Sequence, residues 1–113
     1  MASDAVTEVV PHDDYLVVKI LKRTLDDAST RTLLDDVQVA AAERIGVPIV
    51  LDLSDVKFAP SVALGSLVQL TNSFKFEERR IILVGVSHKI MGPIKVTRLD
   101  KVLEIRNGLD DIN

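Results

Sequence analysis

The run LDLSDVKFAPS places two carboxylates and a hydroxyl close together, as Asp52, Asp55 and Ser61. Such groups can serve hydrolysis or phosphoryl transfer, provided that a base or a phosphate cradle accompanies them. Neither is present here. The glycines at 46, 65, 85, 92 and 108 are scattered and form no phosphate loop. His12 and His88 fall in turns or helix starts, and no acidic or serine partner is spaced to make either a base. The acidic pairs Asp13-Asp14, Asp26-Asp27, Asp35-Asp36 and Asp110-Asp111 are neighbours whose side chains diverge, which suits solvated turns and caps. Cysteine is absent, so disulfides, thiolate metal sites and cysteine nucleophiles are excluded. An enzyme is the least favoured reading, and no metal or cofactor is expected.

Ser61 is then either a functional group or a helix cap behind a proline. Asp52 and Asp55 are either ligands at a sheet edge or a partly exposed side chain and a turn cap. The elements around them frame the choice. Residues 6–10 and 15–21 are β-branched runs separated by Pro11-His12-Asp13-Asp14, the chemistry of a hairpin. Over 30–44 the period becomes helical, with Leu33, Leu34, Val37, Ala40 and Ala41 on one face, Asp26, Asp27 and Ser29 ahead and Gly46 behind. Residues 47–53 and 81–86 are nearly all apolar, as in central parallel strands covered on both faces. Residues 62–74 form a second helix. A weaker helical pattern covers 87–101, a short strand follows at 102–105, and 108–113 is a stub that can begin a last helix. Gly92-Pro93 predicts that the third helix is kinked or starts late, near residues 91–93, because an interior proline costs about 3 kcal/mol.

The order β-β-α-β-α-β-α-β implies an α/β fold of one domain, residues 1–113, with a mixed, mostly parallel sheet. Helices lie mainly on one face. The carboxyl edge of such a sheet, after Asp52, is where α/β proteins place ligands. At 113 residues, 47% hydrophobic and 27% charged, the chain can bury its own core. A net charge of −3 provides no cationic footprint for nucleic acid. No apolar run approaches the ~20 residues that cross a bilayer, and MASDAVTEVV lacks the features of a signal peptide. A cytoplasmic protein is expected.

The second helix carries a face of Ser61, Gly65, Ser66, Gln69, Asn72 and Ser73 without a single charge. Exposed helix faces usually carry Lys and Glu. Small uncharged groups let another backbone approach with little desolvation, although an ordinary neutral surface reads the same way.

Residues 49–58, IVLDLSDVKF, followed by Ser61 and Leu64-Gly65-Ser66-Leu67, resemble the STAS domain, the sulfate transporter and anti-sigma factor antagonist family. Residues 82–87, ILVGVS, and 97–105, TRLDKVLEI, extend the resemblance over nearly the whole chain. It implies a non-catalytic partner-switching regulator: an anti-sigma factor that is also a serine kinase binds the unmodified protein and phosphorylates the turn serine, and a phosphatase resets it. Carried over by position, Ser61 is the phosphoacceptor. Pro60, Ser61, Val62 and Gly65 then begin the partner-binding surface, and Ser66, Gln69 and Asn72 continue it. A monomer or weak homodimer is expected.

Two residues depart from the family's Asp-Ser-x-Gly turn: Pro60 replaces the Asp and Ala63 the Gly. Without the Asp, Ser61 is expected to become the N-cap, its oxygen accepting an amide hydrogen near Ala63 or Leu64. Ala63 is expected to place a methyl where a partner needs exposed backbone. These changes leave open a second reading, a scaffold or subunit that docks on a transporter or multiprotein sensor without modification. The shortened C-terminus is expected to leave apolar sheet surface open to a partner or a second copy.

Overall fold

The computed structural model describes residues 5–112. Five strands and three α-helices follow in the expected order: β1 (Thr7–Pro11), β2 (Leu16–Ile20), α1 (Asp27–Glu43), β3 (Ile49–Asp52), α2 (Ser61–Phe76), β4 (Ile81–Val84), α3 (His88–Val96) and β5 (Glu104–Arg106). Short 3-10 turns occupy Leu99–Lys101 and Leu109–Asp111. The sheet order is β1-β2-β3-β4-β5. The β1–β2 hairpin is antiparallel and every later pairing is parallel, so each helix crosses between neighbouring strands. Pro11 is tolerated because β1 is an edge strand, where one row of backbone groups has no ladder partner.

The alternation of strand side chains sorts the apolar residues into two layers. Leu16, Val18 and Ile20 join Ile49, Leu51, Ile81 and Leu83 on the helix-bearing face, packed against Leu33 and Val37 of α1, Leu64 and Leu67 of α2, and Ile90 and Ile94 of α3. The opposite face carries Val17, Val50, Ile82 and Val84. The centre of this face is not left open, contrary to the expectation from the short C-terminus, although Val10 opposite Val17 on the edge strand stays 39% exposed. Ile112 and Tyr15 pack over it, and none of those four valines and isoleucines is more than 4% exposed. Arg80 fastens the cover by donating to the Ile112 carbonyl at 3.5 Å.

Helix ends differ from the periodicity for local reasons. α1 begins ahead of residue 30 because Asp26 caps it, its Oδ1 accepting the Ser29 amide at 2.8 Å. That bond also holds the Asp26 carboxyl below its ordinary pKa. α3 does not start late: it begins at His88 and contains Pro93. It ends instead at Val96, where Thr97 Oγ1 donates to the carbonyls of Pro93 (2.8 Å) and Ile94 (3.3 Å) and Arg98 turns left-handed at φ 62°. The final strand accordingly lies at Glu104–Arg106, later than the pattern over 102–105 suggests.

Candidate functional site

Three connections converge at the carboxyl edge of the sheet, and their packing sets where Ser61 stands. After β3 the chain descends through a tight turn in which the Ser54 amide donates to Asp52 Oδ1 at 2.9 Å. Asp52, rather than Asp55, is therefore the turn-capping carboxylate. Asp55 lies exposed, 3.7 Å from Lys19 Nζ, a solvent-facing pair of small energetic weight. The next connection presses against this turn at Gly85. Its φ is +70°, and a Cβ there would lie 3.0 Å from both Cβ and N of Ser54 and 3.1 Å from Asp52 Oδ1. Only glycine fits that approach without displacement.

The segment before α2 is held against the start of α1. The amides of Lys57 and Phe58 both donate to the Arg23 carbonyl, at 2.7 and 3.0 Å, and the Leu25 amide donates to the Phe58 carbonyl at 3.0 Å. Val56 and Ala59 point into the core, whereas Phe58 turns outward and is 59% exposed. This bracing delivers Pro60 with φ −60° and ψ 160°, extended backbone that suits an N-cap.

Ser61 is consequently not the N-cap. Pro60 occupies that position, and its carbonyl accepts the Leu64 amide at 3.1 Å. Ser61 is the first helical residue, exposed, and no side chain caps this helix end. The expected bond from an amide near Ala63 or Leu64 to the Ser61 oxygen is absent. Proline's fixed φ places the entry into the helix one residue earlier, and the Leu64 amide is already taken by a backbone carbonyl. The amides of Ser61, Val62 and Ala63 have no intrahelical acceptor, and the first turn holds no acidic side chain. The positive end of α2 therefore faces outward beside a free hydroxyl.

The remaining expected contact residues fall on one side of the helix. Val62, Gly65, Gln69 and Asn72 are exposed, with Pro60 and Ser66 half-buried beside them. The buried stripe of Ala63, Leu64, Leu67, Leu70, Thr71 and Phe74 points the other way. Ala63 is 2% exposed, so its methyl contributes to the core and cannot obstruct a partner, contrary to expectation. Phe58, just ahead of Pro60, and Phe76, at the end of α2, were not singled out in the sequence, yet both are exposed. Phe76 is 94% exposed and Val62 67%. The signal for Phe76 was available, since its helical position lies opposite the buried stripe; for Phe58 it was not, because its direction depends on the bracing by Arg23.

The histidines take no part. His12 stacks on Tyr15 in the hairpin, with ring centroids 4.6 Å apart, and His88 stands exposed at the start of α3. Among the described residues, no three His, Asp or Glu side chains are grouped to hold a metal. No helix among them is long and apolar enough to cross a membrane.

The structure places Ser61 exposed at a helix start after β3, with an uncharged helix face behind it. The STAS domain family model matches residues 6–112. The chain belongs to the STAS domain family. An anti-sigma-B factor antagonist of Listeria monocytogenes is 26% identical over 68 residues, a span covering 60% of this chain and 60% of that relative. The crystal structure of an anti-sigma factor antagonist from Mycobacterium paratuberculosis is 27% identical, covers 92% of this STAS chain and 86% of its own, and superimposes with a TM-score of 0.74. An anti-sigma-factor antagonist (STAS) domain protein from Planctomyces limnophilus shares the fold with a TM-score of 0.78 at 18% identity, over 96% and 94% of the two chains.

Proposed function

We propose that this STAS protein is a partner-switching regulator that docks on an anti-sigma factor kinase through the outer face of α2 and is released when Ser61 is phosphorylated. The observation that carries this reading is the Ser61 hydroxyl itself, exposed and uncapped at the first position of a helix whose outer face bears no charge. A kinase can reach such a hydroxyl without first breaking a capping bond. The named relatives in Listeria and Mycobacterium support the class of partner.

The energetics of a switch are favourable on this geometry. A phosphoryl group adds about −1.5 to −2 charges. In the free protein it sits on open amides at the positive helix end, an arrangement worth ~0.3–1 kcal/mol to the fold. A partner seated over Val62, Gly65 and Gln69 would instead desolvate the dianion, and an unfavourable charge in an interface costs several kcal/mol. Since about 1.4 kcal/mol is a tenfold change in affinity, one phosphate suffices to release the partner. The phosphoryl group comes from the partner's ATP, with no cofactor in this chain.

Calorimetric titration of an anti-sigma factor kinase from the same host tests the reading. Ser61→Ala is expected to retain binding, and Ser61→Asp to lose at least about tenfold. Phosphate mapped to Ser61 in protein from its native host is expected as well. Pro60, which removes the carboxylate beside the hydroxyl, favours the second reading, a scaffold that docks unmodified. Equal binding by both variants, with no phosphate at Ser61, would leave that reading and sink the switch.

A further inference from the structure

At the far end of α2 lies a cavity of about 120 Å³ that the switch does not use. Thr71 and Lys75 line it from the helix, Arg79 and Arg80 from the following turn, and Val102 and Glu104 from the approach to β5. Thr71 is only 7% exposed, and its hydroxyl is buried with no hydrogen-bond partner. A buried polar group of this kind is normally satisfied, by protein, water or a ligand.

The charges around it are unequally committed. The Arg79 guanidinium is spent on three carbonyls, donating to Val47 O at 2.8 Å, Ala41 O at 2.7 Å and Arg44 O. With each of its three nitrogens already engaged, it contributes mainly positive charge. Glu104 is paired with both Arg80 and Arg106, so its negative charge is compensated twice. Arg80 uses Nε and Nη2 on Glu104 and Ile112, which leaves Nη1. Lys75 Nζ has no partner among the described residues. Two of the last carbonyls of α2 are engaged, since the amides of Glu77 and Arg79 donate to Phe74 O and that of Glu78 to Lys75 O. The cavity therefore offers one neutral hydroxyl and two cationic donors, in a net positive surround.

We propose that this cavity binds a small tetrahedral oxyanion, phosphate or sulfate, held by the Thr71 hydroxyl, Lys75 Nζ and Arg80 Nη1. Its size excludes larger ligands, because pockets for drug-sized molecules begin at roughly 300 Å³. Cations of the same sign exclude metal ions and amines. The site is independent of Ser61: ten residues of helix, about 15 Å, separate Ser61 from Thr71.

Amide-resolved NMR titration of the full chain tests this, with sodium phosphate and then sodium sulfate replacing sodium chloride at constant ionic strength. Saturable shifts at Thr71, Lys75 and Arg80 are expected. Thr71→Val removes the hydroxyl without changing the shape of the core, and Lys75→Met alters an exposed position, so both variants are expected to fold. Each is expected to weaken binding, Lys75→Met by about tenfold and Thr71→Val by roughly threefold or more. Shifts that never saturate, shifts centred on the amides of residues 61–63, or unchanged affinity in both variants would overturn the site. A bound water alone would show as no anion-dependent shift, and would overturn it too.

Discussion

The two edges of the sheet are built on opposite principles. At the amino edge, side chains are consumed by structure. Arg44 donates to the hairpin carbonyls of His12, Asp13 (2.9 Å) and Tyr15 (3.5 Å), and its own carbonyl receives Arg79. Arg79 binds the Ala41 and Arg44 carbonyls at the end of α1, which has no basic residue in its own final turn to do so, and Val47 O beyond it. Hairpin, α1 and the entry to β4 are thus joined through two guanidinium groups. At the carboxyl edge, main chain does most of the bracing: the Arg23 carbonyl, the Ser54 amide on the Asp52 carboxylate and the close approach of Gly85 hold the connections. Ser61, Val62 and Gln69 are left facing solvent. The difference shows how a small domain can hold one edge rigid and leave side chains exposed at the other. Stability is placed at one edge in side-chain bonds, and the other edge is shaped mostly by main chain, so Ser61, Val62 and Gln69 stay exposed.

This contrast can be broken by substitution, and the largest effect should come from the amino edge. Arg79→Ala leaves three half-buried carbonyls without their donor, and charged hydrogen bonds are worth about 1.5–3 kcal/mol each, not additively. A loss of about 3 kcal/mol in urea unfolding is expected; a loss under about 1 kcal/mol would mean that the carbonyls find other partners. Next comes the backbone contact at the carboxyl edge. Gly85→Ala forces a Cβ against Ser54 at a positive φ, and a cost of about 2 kcal/mol is expected. If the variant is as stable as the parent, the close approach is not a constraint.

A smaller effect is expected from acid. The hydrogen bond from Arg80, aided by the charges of Arg80 and Arg106, holds the Glu104 carboxyl below its ordinary pKa of 4.5. A carboxylate depressed in the folded state means that the unfolded chain binds more protons over that interval, so stability rises with pH there. The contribution is complete above about 4.5 and is lost as pH falls through the folded value. Glu104→Gln should flatten this part of the acid-unfolding profile, by under about 1 kcal/mol for a partly exposed group. The smallest effect belongs to Ser61. Because it is the first helical residue and not the cap, Ser61→Ala should change stability by less than about 0.5 kcal/mol. A loss near 1 kcal/mol, typical of a deleted N-cap, would return Ser61 to the capping role.

Much of the fold was legible because it rests on periodicity. The runs over 47–53 and 81–86 are apolar at consecutive positions, which only a strand covered on both faces requires, and both became central strands. The spacing of Leu64, Leu67, Leu70 and Phe74 likewise exposed the helix and its uncharged outer side. The candidate site was half legible. Residue type and spacing put Ser61 at a helix start and an uncharged face behind it, whereas the structure corrects the cap assignment and the direction of the Ala63 methyl. Both depend on where the helix begins, a matter decided by one backbone carbonyl.

The amino-acid sequence by itself determined the order of elements, the two-faced burial of the central strands, the family, and a serine at the start of an uncharged helix face. These are consequences of local pattern and residue type. Tertiary structure alone decided that Pro60 and not Ser61 caps α2, that Phe58 turns outward, that Ile112 closes the helix-free face, and that Arg79 serves carbonyls more than thirty residues away. The physical reason is range. Periodicity reports which side of an element is buried, whereas a cap, a covered face or a carbonyl-bound guanidinium depends on which distant backbone groups the finished fold brings within hydrogen-bond distance.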